Sequence, residues 1–283
     1  MLKKELINAK NIVKKSNAVL LIVGAGMSVE SGIPTYRGNN GLWEKEININ
    51  GTLYSYDKIS SLQMWKDFPE LAWGFKANFC KLINNKKPHK GYYNLLNILN
   101  SKYNNNYFIC TSNIDGYFLK AGYNKEQIYE LHGSIRNLQC FDKKCNFRNG
   151  IWELDRIPDY NEKTLVAKVL PKCPRCGNLS RPNVSMFGDY EFYGKPYEHQ
   201  KRRFIKWLDN NKKNNLVIIE IGCGINPHSL RINNGRMMSG EWKMPKINNI
   251  LKTIRINPTD IQEQDNTIHI PMGATKGIKF LFN

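Results

Sequence analysis

Short apolar runs recur along the chain, separated by polar turns and stretches of helical periodicity. Val19-Leu20-Leu21-Ile22-Val23 is apolar without interruption and reads as a strand buried on both faces. Tyr107-Phe108-Ile109-Cys110-Thr111, Ile128-Tyr129-Glu130-Leu131 and Leu216-Val217-Ile218-Ile219-Glu220-Ile221-Gly222 share that character. Thr253-Ile254-Arg255-Ile256-Asn257-Pro258 is a further strand, followed by a short one over residues 267–270. Between the strands lie helical patterns. Residues 2–15 offer Leu2, Leu6, Ile7, Ile12 and Val13 to one face. Residues 62–83 carry Trp65, Phe68, Leu71, Trp73, Phe75, Phe79 and Leu82, an aromatic density that suits core packing. After Pro88-His89, another helix runs through Tyr93, Leu96 and Leu99, with His89 structural at its start. Residues 35–51, rich in Gly and Asn, read as a long loop. Strands alternating with helices predict an α/β fold with a mostly parallel sheet covered on both faces. The chain shows no internal repeat and no low-complexity linker.

The chemistry-bearing residues gather just after the strands, where open α/β sheets place ligands. Gly24-Ala25-Gly26-Met27-Ser28 follows the first. Its glycines let the backbone turn sharply and approach a ligand closely. The small and hydroxylic residues beyond suit a helix start whose N–H groups meet a phosphate. Strand, glycine turn and helix start are the logic of a dinucleotide site in a Rossmann-like fold. The spacing is not G-x-G-x-x-G, and Gly-Ala-Gly also serves as a plain tight turn. Asn113 and Asp115 follow the strand at 107–111, although both types are common in turns. His132 follows the strand at 128–131. A histidine there is often structural, but its pKa near neutrality also suits a base.

Residues 139–181 interrupt the alternation with Cys140-x4-Cys145 and Cys173-x2-Cys176. Two short cysteine pairs close a tetrahedral thiolate site around Zn²⁺, and four thiolates leave no open position, so the expected metal is structural. The predicted organisation is a discontinuous Rossmann-like domain, residues 1–138 and 182–283, with a zinc-ribbon-like insert at 139–181. Cys80, Cys110 and Cys223 are scattered, as for buried thiols in a reducing compartment.

The chain has 283 residues, of which 41% are hydrophobic, enough for a packed core. No apolar run reaches the length of a membrane span, and the N-terminus lacks the apolar core of a signal peptide. A cytoplasmic protein without membrane contact is therefore expected. The net charge of +18 comes from Lys and Arg spread widely, without aromatic-interleaved basic motifs. It fits compositional bias and nonspecific contact with polyanions better than a dedicated nucleic-acid site.

Several motifs in order raise the specificity of these readings. Gly24-Ala25-Gly26 through Ile33-Pro34-Thr35-Tyr36-Arg37, Thr111-Ser112-Asn113-Ile114-Asp115-Gly116, Leu131-His132-Gly133-Ser134, the four cysteines, and Arg181-Pro182-Asn183-Val184 through Phe187-Gly188-Asp189 resemble the signatures of the sirtuins. These are NAD-dependent protein deacylases and ADP-ribosyltransferases, and the resemblance runs from about Val19 to about Gly277. It implies NAD as co-substrate, structural Zn²⁺ and an acyl-lysine protein or peptide as substrate. It implies that His132 is the base for the nicotinamide-ribose hydroxyls and that Asn113 positions the ribose or an attacking water. Asp115, with Ile114, would hold the nicotinamide carboxamide. Gly24, Ala25 and Gly26 would pack beneath the pyrophosphate, Arg37 would face phosphates or ribose, and Tyr36, where the family usually has Phe, would cover the ribose. Ser112, Gly222, Cys223, Asn257 and Pro258 would line the cofactor, with Gly222, Asn257 and Pro258 on its adenosine side, and Ala274 would help cap the adenine.

The chain also departs from the family pattern. Thr35 stands in place of the usual Asp, Ser112 in place of Gln, and Asp189 in place of Glu. Gly222-Cys223-Gly224-Ile225-Asn226-Pro227-His228 replaces the usual Gly-Thr-Ser-Leu run. In the deacylases that the chain resembles, the segments matching these last two form the walls between which an acyl-lysine peptide adds as a strand. Three functions follow. The intact Asn113, Asp115 and His132 favour a protein-lysine deacylase. The altered groove favours an ADP-ribosyltransferase or NAD hydrolase. The third function is an NAD-sensing module without turnover. The stretch around Trp242 is assigned no role.

Overall fold

Every residue of Ala18–Val23 (β1) is buried, and the sheet is built outward from it. The computed structural model describes residues 2–35, 41–42, 46–49, 51–145, 150–224, 231–233, 236–239, 242–247, 250–259 and 266–283. β2 (Ile47–Ile49) and β3 (Thr52–Tyr54) form a small antiparallel hairpin. The strands β4 (Tyr107–Thr111) and β5 (Ile128–Glu130) extend the main sheet on one side of β1. β6 (Gly133–Cys140), β7 (Trp152–Glu153) and β8 (Ser180–Val184) make a separate three-stranded sheet. β9 (Leu216–Ile221) returns to the main sheet on the other side of β1. β10 (Arg231–Asn233), β11 (Arg236–Ser239) and β12 (Trp242–Lys246) form an antiparallel sheet of their own, before β13 (Ile250–Ile256) and β14 (Thr267–Ile270) complete the main one.

The main sheet has six strands in the order β14-β13-β9-β1-β4-β5, all paired in parallel. Chain direction across the sheet reverses between β1 and β9, the switch point where doubly wound sheets open a crevice. Alternate residues of β1 face opposite cores. Val19, Leu21 and Val23 pack with α5 (Lys90–Tyr103) and the C-terminal helix Ala274–Phe282, through Leu95, Leu99, Ile278 and Leu281. Ala18, Leu20 and Ile22 pack against Tyr197 and Phe204 of the helix Lys195–Asn210. Each large side chain so buried contributes about 1.5–3 kcal/mol. A third core lies beside β6 and β8. It collects Trp65 from α3 (Leu62–Asp67), Trp73 and Phe75 from α4 (Pro69–Asn84), and Leu138, Leu165 and Met186. Trp65 and Trp73 meet edge-on with centroids 5.3 Å apart, and the Trp73 indole N–H donates to the Ser180 carbonyl at 2.7 Å.

The expected helix over 62–83 is broken at Phe68, because Pro69 has no N–H to continue the first helix and starts the second. The turn after β1 winds as a 3-10 helix, Ala25–Ser31, not as an α-helix. Part of the expected loop at 35–51 is the first strand of the β2–β3 hairpin. The helix Lys195–Asn210 is an addition to the expected elements, although Tyr197, Phe204, Trp207 and Leu208 recur at helical spacing and face one core.

Candidate active site

Two glycine turns meet at the switch point. Gly24 N–H donates to the Ile221 carbonyl and Gly26 N–H to the Gly222 carbonyl, both at 3.0 Å. A Cβ on Gly24 would stand 2.6 Å from the Gly222 carbonyl oxygen, and one on Gly26 would stand 2.6 Å from the Gly222 Cα. Gly222 itself has φ +63°, with the backbone of Gly26 and Met27 against it. Glycine is required here because two backbones touch, and the same bare backbone is what a pyrophosphate needs for close approach. Asn257, at the end of β13, donates its side-chain N–H to the Cys223 carbonyl at 3.0 Å. The Cys223 thiol turns away into the core and bonds the Ile22 carbonyl. Pro258 follows, exposed. Ala25, Gly26, Gly222, Cys223 and Asn257 therefore converge. Ala274 starts the C-terminal helix, which is tied to the first turn by the bond from Thr275 N–H to Glu30. Tyr36 and Arg37, along with Ile225 to His228, lie outside the described residues.

The end of β4 delivers the second group. Ser112 N–H donates to the Val23 carbonyl, which fixes this loop beside the glycine turn. Asn113, Ile114 and Asp115 are buried and line a recess with Ala25, Ser28, Ile33, Pro34 and Phe79. Ser28 is its organiser. Its hydroxyl donates to Asp115 Oδ2 at 2.6 Å and accepts from the Asn113 amide at 3.3 Å. The Tyr92 hydroxyl lies 2.9 Å from the same oxygen. Because Ser28 has one proton, given to Asp115, Tyr92 is the donor in that pair. Burial pushes the Asp115 carboxyl up, opposed by the bonds from Ser28 and from the Tyr117 amide at 2.9 Å. Burial, with the nearby Asp115 charge, also holds the Tyr92 phenol well above its usual value. Ser28 and Tyr92 were not singled out in the sequence, since nothing local joins Ser28 to a carboxylate 87 positions away.

His132 follows β5, so it stands one strand along from Asn113 on the same edge of the sheet. Leu131 N–H bonds the Thr111 carbonyl, and Ser185 N–H bonds the His132 carbonyl at 3.0 Å. The backbone is thus clamped between the main sheet and the segment after β8. Burial lowers the imidazole pKa, so the ring is neutral at pH 7 and able to accept a proton. Nearby Glu130 is held by Gln200, and burial raises its carboxyl to about 7.

Asp189 is occupied. It receives both terminal nitrogens of Arg181, at 2.8 and 3.0 Å, with both side chains fully buried. It also accepts the amides of Met186 and Glu191, and so shapes the Phe187–Gly188 turn. Cys140, Cys145, Cys173 and Cys176 bring their sulfurs within 4.8 Å of one another. Cys140 and Cys176 are 3.4 Å apart, Cys145 and Cys173 3.6 Å. Tetrahedral thiolates at zinc distance stand about 3.8 Å apart, so the set fits Zn²⁺. None of the seven cysteines is in a disulfide.

The family model described as the Sir2 family matches residues 24–222. An NAD-dependent protein deacylase of Pyrococcus furiosus is 34% identical over 178 residues, 63% of this chain and 64% of that protein. A second, of Caldanaerobacter subterraneus, is 33% identical over 180 residues, 64% of each. The chain thus spans about 64% of the length of these curated relatives. A solved Sir2 homologue in complex with NAD superposes with a TM-score of 0.67, at 22% identity, over 97% of this chain and 91% of that one. By the matched family model, which covers the first glycine turn, the Asn113–Asp115 loop, His132 and all four cysteines, the chain belongs to the Sir2 family.

Proposed function

We propose that the chain is an NAD-dependent protein-lysine deacylase. The observation that carries this reading is the convergence on one sheet edge of a bare glycine cradle, the Ser28–Asp115–Asn113 cluster and a neutral, half-buried His132. Overall, an acyl-lysine peptide, NAD and one water would give free lysine, nicotinamide and O-acyl-ADP-ribose. Bound NAD supplies a nicotinamide–ribose bond whose cleavage leaves an electrophilic C1.

The chain's own groups do the rest. Gly24, Ala25 and Gly26 pass beneath the pyrophosphate without side chains in the way. Asp115 and Ile114 hold the carboxamide of the nicotinamide in the recess, and Ser28 keeps the Asp115 carboxylate turned towards it. Asn113 positions the ribose, and Ile33, Pro34 and Phe79 exclude water there. His132 Nδ1 or Nε2 takes the proton from a ribose hydroxyl. Gly222, Cys223, Asn257 and Pro258 line the adenosine side through their backbone, with Ala274 at its margin. The four cysteines hold structural Zn²⁺ in an insert over 139–181, within a Rossmann-like remainder. Its substrate partner is an acyl-lysine protein, its compartment the reducing cytoplasm, and its basic surface gives weak contact with polyanions.

The test is mass spectrometry of NAD reactions with and without acyl-lysine peptides. Peptide-dependent nicotinamide release with O-acyl-ADP-ribose is expected. Peptide-independent release, with ADP-ribose free or on protein, would replace this reading with a transferase or NAD hydrolase.

A further inference from the structure

Three separate segments bring exposed charge to one side of His132. The Ser185 amide bonds the His132 carbonyl at 3.0 Å, so the turn that follows β8 is the rim beside the candidate base. On that rim Phe187 is exposed, and Tyr190 is 73% exposed. α3 begins against it, with the Leu62 N–H on the Phe187 carbonyl. One helical turn further on, the Lys66 ammonium donates to the Tyr190 hydroxyl at 3.2 Å and lies 5.2 Å from the ring centroid. Lys143, from the loop between Cys140 and Cys145, brings its ammonium to 4.9 Å from the same centroid.

These two cations share one carboxylate. Glu191 Oε1 stands 3.2 Å from the Lys66 ammonium and 3.8 Å from that of Lys143. Among the described residues, no other carboxylate pairs with either of them. The acids nearest in sequence are turned to other donors. Asp67 meets the Gln63 amide, Asp142 meets the Lys144 N–H and the Asn178 amide, and Asp189 meets Arg181. The Glu191 side chain is only 12% exposed, whereas that of Lys143 is open to solvent. The Tyr190 ring holds both ammonium groups near one point by cation–π attraction, so a ligand need not order them. The pair is placed to take a second carboxylate from solvent.

We propose that Lys66 and Lys143 receive an acidic side chain of the substrate protein, and that the chain selects acyl-lysines with an Asp or Glu close by in sequence. This rests on the lysine-deacylase reading, in which the acyl-lysine reaches His132. Residues flanking that lysine then pass over the rim. There Tyr190 offers an apolar ring, and the two ammonium groups offer a partner for one carboxylate. A lysine flanked by basic residues meets the same cations and is disfavoured. Ion pairs this exposed are weak, so the preference appears in KM and fades as salt rises.

The test uses the full chain, saturating NAD at pH 7 and low salt, and one acetyl-lysine peptide in four versions. Aspartates flank the lysine on its N-terminal side, or on its C-terminal side; serines or lysines take both places in the other two. At least one acidic peptide should show a KM about fivefold or more below that of the serine peptide at equal kcat. Lys66→Gln combined with Lys143→Gln should bring the two within about twofold, and the corresponding pair of arginine substitutions should keep the preference. Lys3→Gln with Lys4→Gln removes the same charge from the helix Leu2–Lys15 and should leave the preference intact. Equal KM for acidic and serine peptides, or a preference lost as fully from the Lys3 and Lys4 variant, overturns the assignment. Calorimetric binding of the same peptides separates it from the deacylase reading. If no peptide is deacylated, that reading fails. The acidic subsite then stands on tighter binding of an acidic peptide that the double glutamine variant loses, and falls on equal binding.

Discussion

At the level of single residues, His132 and the Ser28 cluster are the decisive groups. Burial favours the neutral imidazole, so the folded pKa lies below the ordinary 6.5. A base works in that neutral form and is lost only as pH falls through the lowered value. The acid limb of kcat/KM should therefore lie below pH 6.5, read from a pH–rate profile of nicotinamide release. His132→Ala should abolish turnover while NAD binding, followed by calorimetry, stays nearly unchanged. Retained nicotinamide release in that variant would remove the base from the mechanism. Tyr92 acts one step back. Its hydroxyl occupies one lone pair of Ser28 and leaves the serine proton for Asp115. Tyr92→Phe removes that donor and should cost about 0.5–1.5 kcal/mol of stability in urea titration. With Ser28 free to rotate, nicotinamide should also inhibit the variant more weakly than it does the parent.

Two elements depend on contacts that single side chains do not describe. The glycine turns after β1 and β9 interlock, and Gly222 has both a positive φ and the backbone of Gly26 and Met27 where a side chain would go. Gly222→Ala is expected to destabilise the chain by more than about 2 kcal/mol, because strain at φ adds to displacement of backbone. A two-state urea curve superposing on the parent's would show that the turns are looser than this geometry requires. The cysteine module joins β6 to β8 by backbone pairing, and β8 carries the Arg181 that holds Asp189. Removal of the metal should release that sheet first. One zinc per chain is expected in metal analysis, and a strong chelator should lower the melting temperature and activity together. Active protein without zinc would contradict the structural assignment.

For the whole molecule, charge and topology are separate matters. A net charge of +18 predicts retention on immobilised heparin that falls steeply with salt, with no preference among nucleic-acid sequences. Strong sequence preference would point to a dedicated surface instead. No helix among the described residues is long and apolar enough to cross a membrane. The sheet order follows from the alternation of strands and helices only in part. Unbroken apolar runs such as Leu20 to Ile22 announce burial on both faces, but not which strand lies next to which. The pairing of β1 with both β4 and β9 joins residues about ninety and two hundred positions away, and this pairing creates the switch point.

The strands of the main sheet, the first glycine turn and the four cysteines are legible in the linear chain, whereas the smaller sheets are not. Each is a local matter of periodicity, of a backbone needing no Cβ, or of short spacing between like ligands. Three features became visible only when distant segments met. Ser28 and Tyr92 are ordinary residues until folding places them against Asp115. Asp189, a departure from the family's pattern, is the buried partner of Arg181. Lys76 sits in a helical run that gives no hint of burial, and among the described residues no carboxylate pairs with it. Local pattern selects which elements form. Burial and the pairing of charges and hydrogen bonds, which depend on what surrounds a group in three dimensions, decide what the side chains on those elements can do.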